Sequence, residues 1–190
     1  MKKNHLITKI SIVFFSVLIL TLFSVSESFS QALSNASSPY TIGLGGDFAT
    51  FSEVVSRLET DGLVGDGNVT FDILDGTYST TVTFNAAINN LGAANRIIFQ
   101  SQSLDATKVI ISNSAESIIS IDGVGYITFQ YISITNTRTT GYTNTFYIDH
   151  TCPDLEIKNC ISQGFISSSA YASSQAHIYV NSLAVTNNFL

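Results

Sequence analysis

The sequence predicts an all-β chain wound as a parallel β-helix, a solenoid opened by a short capping helix. Three observations predict it. Apolar and polar residues alternate over short stretches such as "YITFQ", "ISIT" and "HIYVN", the period of a pleated strand. A pattern of apolar residue, polar residue and asparagine recurs along the second half. One amphipathic helical stretch precedes both.

Residues 1–30 read as a secretory signal. Lys2, Lys3 and Lys9 give a basic start, Ile10 to Phe23 are apolar, and Ser28 and Ser30 are small residues placed for cleavage before Gln31. The apolar run of fourteen is short of the roughly 20 that a membrane span needs. Residues 31–39 read as a linker and 40–190 as one β-helix domain, a cap plus about five coils. Past residue 30 the chain keeps five basic residues against thirteen acidic ones, a net charge near −8. That excludes nucleic acid, which is bound by neutralising phosphates, and gives no steering toward acidic polymers or acidic membranes. The expected location is secreted or cell-surface, with no membrane attachment after cleavage.

"YTIGLGGDFATFSEVVSRLETDG" (Tyr40–Gly62) resembles a phosphate loop only in its glycines. Gly43, Gly45 and Gly46 miss the dinucleotide spacing, and Asp47 stands where a phosphate loop has lysine. Thr50 and Glu53 form a capping box. Phe51, Val54, Val55 and Leu58 share one face at helical spacing, and Gly62 is the stop. A solenoid exposes strand edges and core at its first turn, and such a helix covers them. "NVTFDIL", "STTVTFNAA" and "NRIIFQS" are earlier strands, with a turn at Asp75-Gly76.

In "VIISNS", "YISITNT", "DLEIKNCI" and "LAVTNNFL" the asparagines are Asn113, Asn136, Asn159 and Asn187, in steps of 23, 23 and 28. Ile111, Ile134, Ile157 and Val185 keep the same steps. A fixed period marks stacked repeats. The reading stacks those isoleucines inside the tube and the asparagines as an amide ladder, at corners where Asn tolerates left-handed backbone. The longer step places extra residues in 167–176. Cys152 and Cys160 flank "PDLEIKN". If that segment is extended, its ends lie well over 20 Å apart, too far for a disulfide. Two unbridged thiols are predicted, one at each end of a strand.

"GGDFATFSEVVSRL" followed by "VTFDILDGTYSTTVTF" resembles the opening of right-handed parallel β-helix proteins of the pectin lyase-like superfamily. It is similar to the start of pectin methylesterases, over about Tyr40 to Phe84, and implies the right-handed form of the coil. By that resemblance the esterases use aspartates, an arginine and glutamines on central coils. Here Gly76-Thr77-Tyr78-Ser79-Thr80 lacks the glutamate of their early motif, and the later aspartate segments do not appear. No catalytic residue is carried over, and no cofactor is expected.

The best polar cluster is Asp122 and Asp149, each following an alternating strand, with His150 beside them. Paired carboxylates suit glycoside chemistry or a calcium ion; solvated corner aspartates are the plainer reading. His150 and His177 have no Ser or Cys partner at a recognisable spacing. Tyr126, Tyr131, Tyr142, Tyr147, Tyr171 and Tyr179 could present rings to a sugar or a protein, according to register. The chain stops inside a repeat, so the reading expects a fragment or an end-to-end contact through Leu183–Leu190. The expected function is a non-catalytic binding or structural module, whose partner is a polysaccharide or another surface protein. The alternative is the N-terminal part of a carbohydrate-active enzyme, an esterase or lyase with downstream catalytic coils.

Overall fold

The computed structural model describes residues 31–164, 175–181 and 188–189. The proposed signal segment, Tyr171, Val185 and Asn187 lie outside the described residues. The chain begins with β1 (Leu33–Ser34), a 3-10 turn (Asn35–Ser37), β2 (Tyr40–Ile42), α1 (Phe51–Asp61) and β3 (Leu63–Val64). It then winds in coils of three strands. The first coil is β4 (Val69–Ile73), β5 (Gly76–Tyr78) and β6 (Val82–Phe84). The second is β7 (Ile97–Ser101), β8 (Val109–Asn113) and β9 (Ser117–Asp122). The third is β10 (Ile127–Gln130), β11 (Ser133–Asn136) and β12 (Thr143–Asp149). The fourth is β13 (Glu156–Lys158), β14 (Ile161–Gly164) and β15 (Gln175–Val180), and β16 (Asn188–Phe189) opens the next.

Corresponding strands stack in parallel into three walls. The first wall runs β2-β4-β7-β10-β13-β16, the second β5-β8-β11-β14 and the third β6-β9-β12-β15. Inward residues of the first wall stack by type. Phe71, Phe99 and Phe129 are successive partners, their rings 5.0 Å and 5.3 Å apart and nearly parallel. On the outside of that wall Gln130 Nε2 donates to Gln100 Oε1 at 2.6 Å, and Gln100 Nε2 donates to Asp72 Oδ1 at 2.8 Å.

The helix forms as its sequence requires. Thr50 Oγ1 accepts from the Glu53 amide, and the Glu53 carboxylate accepts from the Thr50 amide. Phe51, Val54, Val55 and Leu58 are buried, and Gly62 ends the helix at φ 70°, a left-handed value that suits glycine. The glycine loop before it is held by its aspartate. Asp47 Oδ2 accepts from the Thr41 amide at 2.7 Å and the Thr41 hydroxyl at 2.8 Å. These bonds hold the Asp47 carboxyl below its ordinary pKa. The loop binds its own aspartate where a phosphate loop would bind an anion.

Four expectations are corrected. Residues 31–39 are not a plain linker: β1 pairs in parallel with β3, and Leu33 is 4 % exposed. Burying Leu33 under the cap gives this stretch a reason to order. The repeat alignment also slips. Ile134 does stack on Ile111, and Asn136 on Asn113. Ile157, however, stacks on Phe129 in the first wall, while Ser162 and Gly164 continue the column of Ile134 and Asn136. Along the first wall the steps are 31, 28, 30, 28 and 32 residues, because the loops between walls differ in length.

The asparagines therefore do not form the expected amide ladder. Asn136 Nδ2 donates to the carbonyls of Ala115 and Asn144, and Asn113 Oδ1 accepts from the Ala115 amide. Each ties down a corner's backbone instead of its neighbour's amide. Of the three described asparagines in that alignment, Asn159 alone has a left-handed backbone. The described amide ladder is the Asp72–Gln100–Gln130 column, on a different wall. Cys152 and Cys160 are thiols, but the segment between them is not one extended strand. β13 covers only Glu156–Lys158, after a turn at Pro153–Asp154, and Asp154 and Asn159 have left-handed backbone. Burial raises both thiol pKa values.

Candidate functional site: a tyrosine-walled groove

Alternation alone misplaces the third wall. Ile118 and Ile119 are both buried, and so are Thr145 and Phe146 in the strand above. At this bend two consecutive residues turn inward, so the outward set becomes Ser117 and Ser120 on β9 and Asn144 and Tyr147 on β12. Thr83, Ser120, Tyr147 and Tyr179 are successive register partners on that outer face. They line an open groove of about 700 Å³, rimmed by Glu116 and Tyr142. Three of the six tyrosines singled out from sequence meet here. Tyr126 and Tyr131 instead occupy left-handed corners.

Tyr147 and Tyr179 stack on each other, centroids 5.7 Å apart and planes 8° from parallel. The Tyr147 hydroxyl donates to Asp149 Oδ2 at 3.2 Å and accepts from Asn181 Nδ2 at 3.2 Å. Burial first, and then the bonded carboxylate, push the phenol above its ordinary pKa, so it stays neutral. Among the described residues Glu116 is the one charged side chain in the lining, 3.8 Å from Arg138.

Asp122 and Asp149 are register partners at the next corner, as the sequence suggested. His150 Nδ1 bonds Asp122 Oδ1 at 2.5 Å, and the His150 amide donates to Asp149 Oδ1 at 2.9 Å. That amide bond is the main cause holding the Asp149 carboxyl below its ordinary pKa. An acid–base pair needs a second carboxyl kept protonated beside an ionised one; Asp149 is held ionised, and Asp122 faces the His150 ring nitrogen. Among the described residues no three acidic, histidine or cysteine side chains converge as metal ligands.

The hydrogen bond to Asp122 raises the His150 pKa, with both nearby carboxylates adding to it. The stabilisation linked to this shift is full below the unfolded value of about 6.5 and fades as pH rises through the folded value. A proton NMR titration is expected to place the His150 midpoint above 6.5, and Asp122→Asn to lower it. An unchanged midpoint in that variant rules out the pairing.

The structure also joins two residues that spacing did not connect. Ser162 Oγ lies 2.8 Å from His177 Nδ1, and Thr145 Oγ1 lies 2.7 Å from Ser162 Oγ. Thr145 Oγ1 also bonds the His177 carbonyl, which ties the three residues together, and the direction of the Ser162–His177 bond follows the imidazole tautomer. The trio joins the third coil to the fourth, where Ser162 continues the column of Ile134.

No family model matches the chain, and no curated protein matches it. Solved structures do. A pectin methylesterase from Aspergillus niger, in penultimately deglycosylated form, superposes with TM-score 0.56 at 12 % identity over 84 % of this chain. Its deglycosylated form gives 0.53 at 13 %. The chain spans about half the length of these enzymes, 50 % of each. At such identity the likeness shows the fold alone: this chain is a right-handed parallel β-helix, the solenoid fold that those pectin methylesterases have.

Proposed function

We propose that the protein is an exported, non-catalytic binding platform that holds an extended polymer in the groove on its third wall. The observation that carries this reading is the Tyr147–Tyr179 stack, standing over a floor of small hydroxyl residues on successive coils. The polar clusters near it support binding more than turnover. Asp149 is tied up by Tyr147, Asn181 and the His150 amide, Asp122 is engaged by His150, and Ser162 Oγ is shared between Thr145 and His177. Export is supported by the charge and apolar pattern of residues 1–30. No helix among the described residues is long and apolar enough to cross a membrane.

The fold likeness favours a second reading, that the chain is the N-terminal part of a carbohydrate-active enzyme of esterase or lyase type. Two measurements on the purified protein separate them. Methyl release from esterified pectin and unsaturated products from polygalacturonate are both expected at the level of the blank. Co-sedimentation with insoluble polysaccharides is expected, and is expected to disappear in the Tyr147→Ala, Tyr179→Ala double variant. Turnover above blank moves the assignment to the second reading.

A further inference from the structure

We propose that the groove's ligand is an uncharged, polyhydroxylated glycan chain, lying along the winding axis with one sugar ring against the open face of Tyr147. This rests on the reading of the groove as a binding platform and names the chemical class of what binds there.

The direction follows from register. Thr83, Ser120, Tyr147 and Tyr179 succeed one another coil by coil, each step about 4.8 Å. A chain laid along the axis meets one of these side chains per coil. Tyr179 covers one face of the Tyr147 ring. The neighbour on the other side is Ser120, whose side chain is too short to cover an aromatic ring. That face looks over the floor formed by Ser120 and Thr83. A pyranose presents a face of C–H groups that packs on such a ring and hydroxyls at its edge, matching an amphipathic tyrosine.

The hydroxyls have a partner waiting. Asn144 lines the groove and is 5 % exposed, and its side-chain oxygen has no hydrogen-bond partner among the described residues. A buried acceptor without a donor is uncommon; the oxygen is itself closed to solvent, so a ligand hydroxyl reaches it once the side-chain amide turns toward the groove. Thr81, Thr83, Ser117 and Ser120 also line the groove, and each hydroxyl can both donate and accept. A smaller groove shares Thr81 and Thr83 and continues the track to Ser56 and Glu59 on α1.

Charge selects the class. Among the described residues the lining carries Glu116 and no cation, and Arg138 is turned toward Glu116. Asp149 stays ionised beside Tyr147. Carboxylates of an acidic glycan would meet repulsion and no guanidinium or ammonium to pair with. An extended peptide is disfavoured for another reason. It binds sheets by pairing with an unpaired edge, and this groove lies on the face of a sheet whose backbone groups already pair between coils.

The test is native affinity electrophoresis of the purified protein in gels carrying neutral polymers (hydroxyethylcellulose, xyloglucan, galactomannan) or acidic ones (polygalacturonate, alginate). At least one neutral polymer is expected to retard the protein, and the acidic ones are not. Tyr147→Ala is expected to weaken retardation about tenfold in affinity. Tyr147→Phe, which keeps the ring, is expected to bind like the parent and guards against a folding defect. Tyr147-dependent retardation by acidic polymers alone overturns this inference and leaves the platform standing. Retardation by no polymer, or equally strong retardation of the parent and Tyr147→Ala, overturns both.

Discussion

Replacing Phe99 by alanine is expected to destabilise the protein by about 4 kcal/mol, within the range for deleting a buried phenylalanine. Its side chain is fully buried and joins more of the fold than any simple strand contact suggests. Phe71 stacks on one face at 5.0 Å and Phe129 on the other at 5.3 Å. Phe84 from the third wall lies 5.9 Å away, and Phe51 from α1 lies 6.4 Å away. One ring thus couples the cap to the first three coils. Deleting it leaves a cavity that parallel strands, fixed by hydrogen bonds above and below, cannot close. Phe99→Leu keeps most of the volume and is expected to cost less than about 1.5 kcal/mol. Urea denaturation of both variants measures the effect. A loss under 1 kcal/mol for Phe99→Ala would show that the aromatic column is not what joins the coils. A typical domain has only about 5–15 kcal/mol in all, so the leucine variant provides the readout if the alanine variant does not fold.

Gly125→Ala is expected to be nearly as damaging, for a steric reason. A methyl group on Gly125 would sit 2.1 Å from the Pro153 carbonyl oxygen and 2.4 Å from its Cδ. The obstacle is the backbone of the coil above. It cannot withdraw without breaking the corner, where the Tyr126 amide donates to the Pro153 carbonyl at 2.6 Å and the Ile97 amide donates to the Tyr126 carbonyl at 3.0 Å. Those bonds link the second, third and fourth coils in one string. Relieving the clash means lifting the fourth coil, so a loss of roughly 3 kcal/mol or more is expected. In a chain of this size that lowers the melting midpoint by about 6–12 °C. Gly92→Ala is the control, because a methyl there meets nothing within 4 Å. Calorimetry giving Gly125→Ala the same midpoint as Gly92→Ala would contradict the packed corner.

The groove shows where sequence reasoning stopped. Its tyrosines were visible as residues, but their direction was not. Strict alternation assigns faces only while a strand stays regular, and the paired inward turns at Ile118–Ile119 and Thr145–Phe146 shift the pattern by one residue. The consecutive apolar pair in "SIISID" was the available sign of that bend. The asparagine alignment erred for a related reason. "ITN" at the end of β11 and "IKN" running off the end of β13 share a pattern but occupy different walls. Short sequence matches cannot tell one corner of a coil from another when loop lengths vary. The Ser162–His177 contact lay beyond reach for the same cause, since 15 residues of chain separate the two.

The sequence by itself determined the local elements and the kind of fold. The capping box and the i, i+3, i+4 apolar face specify α1, because helix ends and helix faces are set by residues within a few positions of each other. Period-two strands with turn residues between them specify a β-solenoid, because inward apolar residues must find a core. Only the tertiary structure decided which residues stack: Phe99 under Phe129, Ser120 under Tyr147, Ile157 away from Ile134. Vertical neighbours are fixed by the length of every intervening loop and by how the rings and amides of adjacent coils pack. That information is spread over a whole turn of the helix, and no local stretch of the chain contains it.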